Sequence, residues 1–161
     1  QIDFSLPEKF DMTYIDENNE KQHPYVIHRT SIGCYERTLA MLIEKYAGAF
    51  PTWLAPVQTK IIPISDEQLD YAFKVKAELE QDDIRVEVDG RQEKVGYKIR
   101  EAQVEQVPYM LIVGGREEEE GTVSVRDRRE GDLGTSELAE FKAKILKEIE
   151  DKVINTEDTI D

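Results

Sequence analysis

Cysteine is nearly absent: Cys34 stands alone in 161 residues. No internal disulfide framework is possible, and the usage fits a reducing compartment. Long apolar runs are missing as well. No stretch approaches the roughly 18 apolar residues that a membrane-spanning helix requires. The opening Gln1-Ile2-Asp3-Phe4 has neither a basic n-region nor an apolar h-region, so no signal peptide is expected. It also lacks an initiator Met, which suggests a piece of a longer chain. The expectation is a soluble, cytoplasmic protein with no membrane partner. Basic charge is scarce too, with 21 Lys and Arg against 35 Asp and Glu for a net of −14. That balance argues against nucleic-acid binding through bulk electrostatics. Internal repeats and a Gly-rich phosphate loop are also lacking.

What is present supports a folded core. Apolar residues make up 39% of the chain, with 7 Tyr and 5 Phe, and a chain of this size buries about 68–70% of its unfolded surface. The acidity is uneven. Residues 85–129 hold nine basic and ten acidic side chains, so nearly all the net negative charge lies elsewhere. Within that stretch Arg91, Lys94, Lys98 and Arg100 are close together, as are Arg126, Arg128 and Arg129. Either these are solvated faces of ordinary elements, or this is where a nucleic acid binds.

Two hydrophobic patterns meet near residue 55. Before it, Phe10–Ile15 and Tyr25–His28 read as strands joined into an antiparallel hairpin by the polar run 16–21. A helix follows, with Tyr35, Leu39, Leu42, Ile43 and Tyr46 at helical spacing and Gly48 just beyond its end. The two prolines in 50–56 then break regular structure. After them the pattern alternates: a buried strand at Val57–Ile64, and a helix from the capping-box form Ser65-Asp66-Glu67-Gln68 to about Glu80. A strand at Ile84–Val88, a helix at Val95–Val104 and an apolar strand at Tyr109–Val113 come next. A strand at Thr122–Val125 pairs back across the Glu117–Glu120 run, and a last helix carries Leu138, Phe141, Ile145, Leu146, Ile149 and Val153 on one stripe. Strands alternating with helices predict an α/β second half.

Few residues suggest chemistry by themselves. His23, His28 and Cys34 are zinc-ligand types, but their spacing fits no closed structural zinc pattern, and a histidine at a strand end is commonly a packing or surface residue. Glu36-Arg37 opens the first long helix. An arginine there can grip a phosphate bidentately or form a surface ion pair.

Taken together these stretches do resemble a known family. The run 27–37 (IHRTSIGCYER) and the run 42–58 (LIEKYAGAFPTWLAPVQ) resemble the end of the class II catalytic domain of threonyl-tRNA synthetases. The run 91–101 (RQEKVGYKIRE), Val107–Leu111, Gly121–Arg126 and Gly131–Gly134 resemble that family's anticodon-binding domain, and 4–10 (FSLPEKF) fits the same collinear frame.

The resemblance implies a fold class: an α/β domain, a mixed β-sheet with about three helices, preceded by a β-hairpin and helix remnant of an antiparallel-sheet catalytic domain. It implies domains at 1–55 (catalytic remnant) and 56–154 (anticodon-binding), with an acidic tail at 155–161. By position, Arg37 corresponds to the arginine contacting ATP phosphate, Gln1 to a glutamine of the substrate pocket, and His28 to one of three zinc ligands whose partners belong to the missing catalytic body. Gln92, Arg100, Glu117 and Arg126 correspond to residues that contact anticodon bases. Gln92 replaces a common Asn, Gln106 replaces an Arg of some members, and Cys34 replaces a small Ser.

The expected partners are threonine tRNA, through its anticodon loop, and the rest of the synthetase, with a homodimer in the full enzyme. Zinc, ATP and magnesium are expected only of that full enzyme. None is expected to bind this segment tightly, and the segment alone is expected to be inactive as a threonine–tRNA ligase. The competing readings are a non-catalytic RNA- or protein-binding module with an anticodon-domain-like fold, and an independent metal-dependent enzyme using His23, His28 and Cys34. No general base accompanies those three.

Overall fold

A computed structural model describes residues 1–154, so the tail expected at 155–161 lies outside the described residues. The chain divides into two compact units, Gln1–Ala40 and the part from Met41 onward.

In the first unit β1 (Ile2–Asp3) leads into the one-turn helix α1 (Ser5–Lys9). Asp3 caps it, its Oδ1 accepting from the Ser5 and Leu6 backbone N–H groups at 2.8 and 3.0 Å. β2 (Tyr14–Ile15) pairs with β3 (Lys21–Gln22), and β4 (Val26–Ile27) pairs with β1, both antiparallel. The expected pairing of Phe10–Ile15 with Tyr25–His28 is therefore wrong. Asp16 closes the turn early, its Oδ1 accepting from the Asn18 and Glu20 N–H groups, each at 2.9 Å. Pro24 then follows β3 without an N–H to extend the ladder, and the chain beyond it finds β1 instead. Helix α2 (Tyr35–Tyr46) spans the residues that its apolar spacing predicts.

In the second unit five strands form one mixed sheet. They are β5 (Thr59–Pro63), β6 (Val86–Val88), β7 (Tyr109–Val113), β8 (Thr122–Asp127) and β9 (Gly131–Glu137), in the spatial order β6-β5-β7-β8-β9. The first three in that order run parallel, and β8 and β9 are antiparallel to their neighbours. The helices are α3 (Leu69–Glu80), α4 (Val95–Val104), α5 (Gly115–Glu120) and α6 (Leu138–Glu150). The mixed α/β class expected from the sequence is what the chain forms.

Alternation along the strands divides the core. Ile61, Leu111, Val123 and Val125 point to one face, where Val75 and Leu79 of α3 and Phe141 and Ile145 of α6 cover them. Ile62 and Met110 point to the other, under Ile99 and Ala102 of α4. Each large aliphatic side chain so enclosed contributes about 1.5–3 kcal/mol relative to exposure.

Four details differ from the sequence reading. The Gly115–Glu120 stretch is a helix rather than a plain connection; Gly121 ends it at φ 68°, a left-handed conformation that a side chain would strain. Strand β9 was not foreseen, because its residues alternate weakly and include Gly131 and Gly134. The last helix ends at Glu150, leaving Val153 beyond it. Ser65 makes no backbone cap; its Oγ donates to Gln68 Oε1 at 2.7 Å, and a 3-10 turn (Asp66–Gln68) precedes α3.

Candidate nucleic-acid interface

The basic residues of 85–129 separate into two groups once folded. Several are structural. Asp89, only 7% exposed, holds the Arg91 guanidinium through Nε at 2.8 Å and Nη2 at 2.6 Å. Arg91 also reaches Glu101 at 2.6 Å, and the buried Lys98 donates to the Asp89 carbonyl at 3.0 Å. Hydrogen bonding from Arg91 holds the Asp89 carboxyl below the usual carboxylate range, against the opposing effect of its burial. Arg85 donates to the carbonyls of Ala55 and Trp53, each at 2.9 Å. Arg128 donates to those of Gln106 at 2.8 Å, Phe50 at 3.1 Å and Ala49 at 3.3 Å. The cluster at 91–100 and the Arg126–Arg129 run therefore do not act as uniform basic patches. Burial and pairing claim Arg91, Lys98 and Arg128.

Arg100 and Arg126 belong to the second group. Arg100 is exposed on α4. Lys98 and Glu101 on the same helix, and Glu105 just past its end, bond to Asp89, Arg91 and Lys60, so position 100 lies away from that shoulder. Arg126 lies on β8 opposite Met110 of β7. Val123 and Val125 point into the core under α6, so Thr122, Ser124 and Arg126 face the other way, the side that α4 covers farther along the sheet. All three are half-buried. Arg126 Nε is shielded from solvent and has no acceptor among the described residues, as is also true of the Thr122 hydroxyl. A buried donor without a partner is costly.

Glu117 comes to this same face from α5. Its Oε1 accepts from Ser124 Oγ at 2.9 Å and its Oε2 from the Gly114 N–H at 3.0 Å, capping the helix. Partial burial raises the Glu117 pKa, but the Ser124 hydroxyl and the backbone N–H groups of Glu117 and Gly114 outweigh it and leave the carboxyl below its ordinary range. It is an ionised acceptor at neutral pH. Glu118, Glu119 and Glu120 are exposed. Gln92 lies in the loop between β6 and α4, its Nε2 donating to Asp66 Oδ2 at 3.0 Å, with exposed Lys94 nearby in sequence. The fold thus sets Ser124, which bonds Glu117, and Arg126 on the same face of β8. Gln92 is in the β6–α4 loop and Arg100 on a helix surface, without a bond to either among the described residues. Ser124 and Gly114 were missed by sequence reasoning. The signal in the sequence was the alternation of two hydroxyls with valines, Thr122-Val123-Ser124-Val125-Arg126.

In the first unit, the ladder sets Gln1 against His28: the Gln1 nitrogen donates to the His28 carbonyl at 3.0 Å, and the His28 N–H to the Gln1 carbonyl at 2.9 Å. His28 Nε2 is 3.8 Å from Asp3 Oδ2. Arg37 is exposed on α2, with no bond to either among the described residues. His23 is engaged elsewhere, Nδ1 lying 2.9 Å from the Met12 carbonyl, and Cys34 Sγ donates to Glu36 at 2.7 Å. Among the described residues no group of three or more His, Cys, Asp or Glu side chains is placed to hold a metal ion.

Comparison with known proteins follows the same division. Residues 58–148 match the family described as "Anticodon binding domain", and residues 1–46 match "tRNA synthetase class II core domain (G, H, P, S and T)". A threonine–tRNA ligase of Clostridium botulinum is 59% identical over 152 residues, covering 94% of this chain and 24% of that protein. One from Clostridium perfringens is 60% identical over 149 residues, 92% of this chain and 23% of that protein. One from Syntrophomonas wolfei is 57% identical over 154 residues, 96% and 24% respectively. The crystal structure of the RNA binding domain of threonyl-tRNA synthetase from Cryptosporidium parvum aligns with a TM-score of 0.68 at 32% identity, covering 91% of this chain and 38% of that one. The chain spans about a quarter of the length of the curated relatives it matches.

Proposed function

The chain belongs to the anticodon binding domain family, and from that premise we propose that it is the anticodon-reading portion of a threonine–tRNA ligase. It takes the anticodon loop of threonine tRNA against the β8 face, with Arg126, Glu117, Arg100 and Gln92 as contacts. The observation that carries this reading is the pairing of opposites on one strand face: Glu117 as a fixed acceptor, and Arg126 with a buried donor lacking any acceptor among the described residues. Loop bases are splayed in single-stranded RNA and expose edges carrying both donors and acceptors, which such a pair complements.

The remaining assignments belong to the whole enzyme. The matched stretch at 1–46 supports a domain limit near residue 55, with a catalytic remnant before it and the anticodon-binding domain at 56–154. Arg37 contacts ATP phosphate there, with magnesium, and Gln1 lines the substrate pocket. His28 is one of three zinc ligands, the other two coming from outside this chain. The rest of the synthetase and a second protomer are its protein partners, and the cytoplasm is its location. One phosphate contact does not orient an adenylate-forming attack, so this chain alone forms no threonyl adenylate. Threonine-dependent pyrophosphate exchange by the purified chain would contradict that.

The base-reading role is tested by Arg126→Ala. It is expected to weaken tRNA binding by about 1–3 kcal/mol, the worth of a good base contact, in a filter-binding titration. Unchanged affinity would remove Arg126 from the interface.

A further inference from the structure

Glu117 is a reader only if its carboxylate is held in place, and the atoms holding it lie on β8 and at the start of α5. One oxygen accepts from Gly114 N–H at 3.0 Å and the other from Ser124 Oγ at 2.9 Å. Ser124 Oγ is in turn 3.4 Å from Thr135 Oγ1 on β9, its partner in register. The Gly114 contact is backbone and leaves the carboxylate free to rotate about it; the serine hydroxyl is the second point that fixes its plane. A carboxylate has about four acceptor positions, so with Ser124, Gly114 and the N–H of Glu117 itself as donors one remains for a ligand. From the opposite side the approach is just as tight. A Cβ on Gly114 would stand 2.6 Å from Ile64 Cδ1 and 3.0 Å from Glu117 Oε2.

Resting on the anticodon-loop reading above, we infer that Ser124 is a positioning residue for RNA recognition. Its hydroxyl, backed by Thr135, sets the Glu117 carboxylate over the β8 face as a ready-made acceptor for base N–H donors. Ser124 need not touch the RNA. A pre-set acceptor rejects a base lacking the matching donor, because that base leaves the carboxylate desolvated and unmet. A loose carboxylate turns to water and discriminates less. The titratable groups around Glu117 are Arg116 beside it on α5, Glu118 next along, and the Tyr71 hydroxyl of α3. None of them fixes its orientation through a hydrogen bond.

The test uses Ser124→Ala and Ser124→Thr in this chain. Two quantities are measured: the Glu117 side-chain carboxyl 13C shift against pH, and binding of an anticodon stem-loop of threonine tRNA beside one carrying a changed anticodon base. In Ser124→Ala the Glu117 midpoint is expected to rise and the ratio of the two affinities to fall by about 3–10-fold, with thermal stability essentially kept. Ser124→Thr, which keeps the hydroxyl, is expected to restore both. An unmoved midpoint, or full discrimination in Ser124→Ala, overturns the role of Ser124. Equal binding of the two stem-loops by the wild-type chain overturns the anticodon reading itself.

Discussion

Arginines two positions apart on β8 and just beyond it have opposite fates. Arg126 keeps a buried donor without an acceptor among the described residues, whereas the Arg128 guanidinium donates to three backbone carbonyls. Arg128→Ala is therefore expected to lower stability by about 1–3 kcal/mol, the cost of leaving half-buried carbonyls unmet, as a lower urea midpoint. Anticodon discrimination of the folded variant should persist; lost discrimination at unchanged stability would reverse the two assignments. The sequence does not distinguish these arginines, since nothing local to 126–129 shows which one meets the carbonyls of residues 49, 50 and 106. Arg91 poses the same problem. Its partner Asp89 is two residues away, yet the burial that makes the pair structural comes from the packing of β6 and α4.

Elements were legible where apolar residues set the period. The five-residue run Tyr109–Val113 and the helix Val95–Val104 form as the sequence reading places them. Helix α5 and strand β9 were not legible for a shared reason. Their residues are mostly polar, and their conformation is fixed by partners: Glu117 capping α5 from within, and β8 supplying the ladder for β9. The loop between β6 and α4 is secured by the Asp89–Arg91–Glu101 chain, which carries a pH signature. Asp89 has a depressed pKa in the folded state, so its contribution is present above the unfolded value of about 3.9 and is lost as pH falls through the lower folded value. Asp89→Asn should be less stable than wild type at pH 7 by about 1–3 kcal/mol, with the gap closing toward pH 2. A constant gap across that range would show that the Asp89 charge contributes nothing. Gly114→Ala should shift α5 and disturb Glu117 through the contact with Ile64, visible as altered amide shifts from 114 to 120.

At the scale of the whole molecule, the chain has a net charge of −14, and on the face proposed to meet RNA, Arg91, Lys98 and Arg128 are already claimed. Few phosphates are then neutralised. Two or three phosphate contacts predict a salt slope of about −1.4 to −2.1 for single-stranded RNA, with specificity residing in the fixed contacts to bases. The most direct measurement is a titration of this chain with threonine tRNA and with the same tRNA carrying a changed anticodon base, at two salt concentrations. Tighter binding of the intact anticodon is predicted, with both affinities falling modestly as salt rises and their ratio kept. Weak, equal binding that vanishes with salt would contradict the assignment of anticodon reading to the β8 face.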